Sequence, residues 1–235
     1  MAQRSLRAKV KRALLNLPSP HQEAAWSDFQ RLESAIEIKA SSLFALIMDP
    51  RAAADLRAIA VGVLALAGEV RARNKLRELL LLSAPVEVQW EAAKGLCDLG
   101  ESDDFFIRVL SEGNTAEVRK MAAYALGRVG SASSTAALIA VLGESLEEPG
   151  LRGQVAESLG YIGDLSVVPE LERAAVDSSS EVRFWAVFAL GQLKPESSLP
   201  LLELIASSDT AKLEGWGTVS EEARLALEAI QAKRA

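Results

Sequence analysis

The chain has 235 residues, of which 49% are apolar, 25% charged and only 5% aromatic. Plentiful Ala and Leu with few β-branched runs favours helices over sheets, and the composition is that of a globular chain, not a disordered one. One Cys and one His exclude a disulfide framework, a Cys/His zinc site and any two-histidine metal centre.

The net charge of −6 is unevenly spread: residues 1–80 carry 13 Lys+Arg against 8 Asp+Glu, and residues 81–235 carry 13 against 24. Most of the chain would repel a phosphate backbone, so no nucleic-acid partner is expected. The first 17 residues hold five basic side chains and no acid. They read as a basic amphipathic helix or a transit segment, and lack the apolar stretch of a secretory signal. His21 follows, beside Pro18 and Pro20, in an apparent linker. Residues 20–50, with Trp26, Phe29, Leu32, Leu43, Phe44 and Leu46, read as a divergent pair of capping helices. The longest apolar run, from Ala58 to Gly68, is too short for a bilayer span of about 20 residues. A cytoplasmic protein is expected.

From residue 55 a pattern repeats. DLRAIAVGVLALAG (55–68), EVQWEAAKGLCDLG (87–100), EVRKMAAYALGRVG (117–130), GLRGQVAESLGYIG (150–163), EVRFWAVFALGQLK (181–194) and a weaker TVSEEARLALEAIQ (218–231) start at intervals of 32, 30, 33, 31 and 37 residues. Position two is Leu or Val, position six Ala or Val, position ten always Leu. These steps trace one apolar stripe along a helix. Gly68, Gly100, Gly130 and Gly163 then supply left-handed caps. Position eleven is small (Ala65, Cys97, Gly127, Gly160, Gly191), which lets a neighbouring helix approach closely and makes Cys97 a packing residue. A second apolar segment follows each stripe: Asn74–Leu82, Asp104–Leu110, Thr135–Leu142, Val167–Val176 and Leu199–Ile205. Each repeat is a two-helix hairpin that buries its stripe only by stacking.

EVRKMAAYALGRVG and EVRFWAVFALGQL, with Val-Arg opening the first helix and Ala-Leu-Gly closing it, resemble HEAT repeats of the short type found in phycobilisome lyases. The resemblance covers about residues 55–231. It implies an all-α fold, an α-solenoid of about six to seven stacked two-helix HEAT-like repeats, with residues 1–50 as N-terminal helix and cap and 51–235 as the array with its C-terminal cap. Arg57, Arg119, Arg152 and Arg183, with Gln89 as the exception, resemble the arginine ladder that bridges successive HEAT repeats.

No phosphate loop or hydrolytic triad is present, and the di-iron hydroxylases among HEAT proteins rely on several His-Glu pairs. The expectation is therefore a non-enzymatic adaptor without cofactor, binding a protein or peptide on the solenoid surface. Its alternatives are a bilin lyase-like or chaperone-like factor for phycobiliproteins and an alkylbase glycosylase-type DNA-binding protein. Off the core stripe, Phe184, Trp185, Phe188, Tyr124 and Trp90 form the candidate partner surface, with Trp216 and Leu213 able to fold back over it. Ile59, Gly62 and Leu66 make the first repeat helix apolar all round, so the cap is expected to cover them. The insertion at 209–217 is expected to be a mobile surface loop.

Overall fold

The stripes fold as helices that end on their glycines. The computed structural model describes residues 6–15, 19–35, 37–82 and 84–232, without the side chains of residues 7, 9 and 19–21. His21's side chain and parts of the basic N-terminal segment lie outside the described residues. Fourteen α-helices are described, with one two-stranded sheet. Gly68, Gly100, Gly130 and Gly163 all have positive φ, and Lys194 takes the same left-handed place with φ 55°. Among the described residues no helix is long and apolar enough to cross a membrane.

The chain forms two compact units that divide between Ser102 and Asp103, so the expected division at residue 50 falls inside the first. In the first unit α1 (Leu6–Leu14), α2 (Ser19–Ala35) and α3 (Ala40–Met48) pack on α4 (Ala54–Leu66), and α5 (Arg73–Leu81) packs on α6 (Val86–Asp98) beside it. Phe29, Leu32, Leu43 and Ile47 are buried there.

In the second unit α8 (Ala116–Val129), α10 (Pro149–Ile162), α12 (Ser180–Leu193) and α14 (Val219–Ala232) lie side by side as one layer. Each is backed by the helix before it: α7 (Asp103–Glu112), α9 (Ala132–Gly143), α11 (Val168–Ala174) and α13 (Leu199–Ser208). Thr115 caps α8 by accepting the Val118 N–H, and Ser131 caps α9 by accepting that of Ser134. Each unit is thus an all-α solenoid stack.

The helices of that layer meet through small residues. A Cβ on Gly127 would lie 2.8 Å from the Ser158 side chain, one on Gly160 2.8 Å from the Ala189 Cα, and one on Gly191 3.1 Å from the Ala226 Cα. Position eleven of one repeat therefore meets position nine of the next. The first unit repeats the register, with Gly95 against Ala65. The small ninth column (Gly95, Ala125, Ser158, Ala189, Ala226) is as diagnostic as the eleventh.

Candidate functional site

The register sets neighbouring helices side by side and leaves positions eight and twelve of each, and position five in all but α8, on the outer face. In the second unit position eight reads Tyr124, Glu157 and Phe188, and position twelve brings Tyr161 alongside. The Tyr161 and Phe188 rings are 5.8 Å apart, Phe188 and Trp185 5.6 Å, and Trp185 and Trp216 4.9 Å, all edge to face. Trp185 also occupies the gap at Gly153, where a Cβ would lie 2.8 Å from its ring.

Phe184 is not part of that surface. It is buried to 2% exposure behind Trp185, because position four of α12 faces the Trp216 segment. Met121, at position five of α8, is buried as well. Trp216 is 66% exposed and does fold back over Trp185 and Phe184. The segment carrying it is a hairpin, not an open loop. Lys212–Leu213 pairs antiparallel with Gly217–Thr218, and the Ala211 N–H and Ser220 N–H both donate to Asp209.

Glu157 sits half-buried among these rings. It accepts the Gln154 Nε2 hydrogen at 2.6 Å and faces the Tyr161 hydroxyl, and it forms no ion pair among the described residues. Burial pushes its carboxyl above the usual range, with Gln154 and Tyr161 only partly opposing that. Desolvation, with the Glu157 charge beside it, pushes the Tyr161 phenol up as well. Glu222 on α14, at the position Trp185 holds on α12, is also half-buried and pushed up by burial.

The arginine column lies on the opposite side of these features. Arg57 donates to the Ile47 carbonyl, Arg119 to Leu110 and Arg152 to Leu142, closing the carbonyl end of the preceding helix. In the second unit each also reaches an acid of a following turn: Arg119 to Glu147, Arg152 to Asp177, Arg183 to Asp209. These acids differ from Glu117 and Glu181, which stand closer in sequence. Gln89 keeps the carbonyl bonds, to Leu80 and Leu82, and has no acid partner among the described residues.

Trp90 belongs to the first unit, where it lines a cavity of about 610 Å³. Ala58, Ile59, Gly62, Val63 and Leu66 make its floor. The N-terminal helices pack on α4 and cover Ile59, Gly62 and Leu66 only in part, leaving them half-buried, with Leu14, Ala25 and Phe29 lining the cavity across from them. A Cβ on Gly62 would meet nothing nearer than Glu91 at 3.6 Å. Asp28, Asp55, Glu87, Glu91 and Asp98 line the cavity beside Arg31 and Lys94. Arg31 pairs with Asp55 and Lys94 with Glu91, while Asp28 and Glu87 have no basic partner among the described residues.

A curated relative, the deoxyhypusine hydroxylase of Gallus gallus, is 30% identical over 120 residues, 50% of this chain and 40% of that protein. The match thus spans less than half the relative's length. Among solved structures, human deoxyhypusine hydroxylase in complex with glycerol is 18% identical over 98% of this chain and 81% of its own, with a TM-score of 0.47. An engineered protein is 22% identical over 81% of this chain and 95% of its own, with a TM-score of 0.45.

The curated relative is an enzyme, and this corrects the expectation of a non-enzymatic adaptor. The family model matches HEAT repeats in general and does not show the phycobilisome-lyase type. The iron centre of HEAT hydroxylases does not fit the residues present. The chain holds one His, and no group of three His, Cys, Asp or Glu among the described residues is arranged to hold a metal ion. A family model of HEAT repeats matches residues 73–149 and 139–216, more than half of the chain, and the chain therefore belongs to the HEAT-repeat family.

Proposed function

We propose that this chain is the substrate-holding part of a cytoplasmic protein-modifying enzyme, and that it takes an amine-bearing side chain into the cavity of its first unit. The observation that carries the reading is the cavity itself, an apolar floor with Trp90 at its side and carboxylates in excess of basic groups around it. An alkyl stem is desolvated on Ile59 and Leu66, while Asp28 and Glu87 pair with the ammonium, and the Trp90 ring adds an attractive face. The relative is named for action on deoxyhypusine, an amine-bearing residue. Only that substrate class is carried over, because this chain lacks the donors for the metal.

Peptides carrying deoxyhypusine, lysine or norleucine at one position test it, read by Trp90 fluorescence with Trp90→Phe as blank. The two amine peptides are expected to bind at least tenfold more tightly than the norleucine peptide, about 1.4 kcal/mol. Gly62→Leu, which projects into the cavity beside Ile59 and Leu66, is expected to abolish binding. Equal binding of all three peptides, or undiminished binding to Gly62→Leu, overturns the reading. A protein-dependent mass change of the deoxyhypusine peptide in host extract is the expected sign of reaction. Its absence overturns the enzymatic part.

A further inference from the structure

The second unit carries a separate excess of negative charge. Residues 103–235 hold 20 Asp+Glu against 12 Lys+Arg, a balance of −8. The arginine column neutralises Glu147, Asp177 and Asp209, but Glu157 and Glu222 have no basic partner among the described residues. These two carboxylates bracket the aromatic strip. Glu157 stands beside Tyr161 at the α10 end, and Glu222 is on α14, next to α12 and at the position where α12 carries Trp185. Trp216 reaches the strip from the hairpin that the chain inserts between α13 and α14. It stays exposed, yet its backbone N–H donates to Leu213 and its hairpin is tied to Asp209. An exposed Trp held this firmly loses little freedom on binding and is the residue type that anchors interfaces.

We propose that this strip docks an extended segment of a protein partner that presents a basic side chain at each end and apolar side chains between them. Two helix-to-helix steps of about 8–10 Å separate α10 from α14. An extended chain rising about 3.3 Å per residue covers that span in five or six residues. Its basic ends pair with Glu157 and Glu222, its alternate apolar side chains rest on Phe188, Trp185 and Trp216, and the negative field of the unit draws it in. This surface is independent of the cavity in the first unit.

The probe is the end-blocked peptide Arg-Ser-Leu-Thr-Leu-Ser-Arg, whose Arg and Leu side chains share one face of the extended chain, titrated calorimetrically into the full chain at low and physiological salt. Saturable binding that weakens with salt is expected. Binding should fall at least tenfold in the Glu157→Gln/Glu222→Gln double variant and in Trp216→Ala, and be unchanged in Gly62→Leu. The same peptide with Glu at both ends should not bind. Because Gln preserves shape and removes a half-buried charge, the double variant should melt no lower than the parent, and melting of both variants is measured alongside so that a loss of binding is read only on folded protein. Absence of binding to the parent, undiminished binding to either strip variant, or equal binding of the Glu-ended peptide overturns the proposal. Loss of binding in Gly62→Leu would assign the peptide to the cavity and overturn it too.

Discussion

The two units use one helix frame and present opposite relief. In both, position eleven of a first helix meets position nine of the next, so the outer positions of neighbouring repeats fall in matching places. In the first unit Gly62 leaves its place open, and a cavity forms over Ile59 and Leu66. In the second, the gap at Gly153 is filled by Trp185 of the following repeat, and the rings continue from Tyr161 to Trp216 as a ridge. The frame decides where a side chain stands. Volume at a few outer positions then decides whether the surface is a hole or a ridge, and function follows those positions rather than the stripe.

The units also differ in how their repeats are tied, and this is where the largest effect is expected. Arg152 is 7% exposed, caps the Leu142 carbonyl and pairs with Asp177 at 2.6 Å. Arg152→Ala leaves Asp177 desolvated without its partner, a loss of about 3–5 kcal/mol. Gln89, its counterpart in the first unit, makes only neutral bonds to two carbonyls. Gln89→Ala should cost about 1–2 kcal/mol. Urea unfolding of both variants measures the contrast, and equal losses would show that the ionic link adds nothing to the carbonyl cap.

A second contrast separates close approach from open space. Gly160→Val would drive a side chain into the Ala189 backbone and should cost about 2–3 kcal/mol. Gly62→Val points into the cavity and should stay within about 0.5 kcal/mol of the parent. Thermal melting of the two variants decides this. If Gly62→Val is as damaging as Gly160→Val, the cavity is not open as described.

The frame was legible because it is periodic. Val or Leu, Ala, Leu and Gly recur at fixed spacing in sequence, and each recurrence has one physical cause in burial or capping. Much of the candidate site was not legible. Phe184 and Phe188 are alike in composition and one turn apart, yet only the hairpin over position four tells which of them is buried. The two-residue strands of that hairpin are too short for an alternation signal, though Gly215 and Gly217, both at positive φ, flank Trp216 and mark the turn. The cavity arises from a missing side chain at Gly62. In the sequence that glycine reads as one more apolar position of a buried helix, because an absence has no periodicity.

Acid should separate the paired carboxylates of the second unit from the unpaired ones, with the smallest effects of all. Arg119 holds Glu147 below the usual carboxylate range, and Arg183 does the same for Asp209. Burial pushes Asp177 up, but Arg152 and the Ser179 N–H together outweigh it and hold it below that range. The stability these three contribute is full above their unfolded values near 4 and is lost as pH falls through their lower folded values. Among the described residues the first unit has no such pair in its arginine column, although burial there is outweighed at Glu101 by Arg77 and the Ser102 N–H. Amide exchange on acidification should therefore loosen the second unit more. Glu157 and Glu222 work in the other direction. Their folded values are raised by burial, so what they contribute is present below their unfolded values and lost as pH rises through the folded ones. Above its folded value Glu157 carries a half-buried charge that Glu157→Gln removes. The variant should be at least as stable as the parent at pH about 7, and the difference should vanish by pH about 4, where the parent's carboxyl is protonated. Urea midpoints across that range measure it. A variant less stable than the parent at neutral pH, by a margin that acid does not change, would mean that Glu157 is held ionised by its surroundings, and the contrast with the arginine-paired acids would fail.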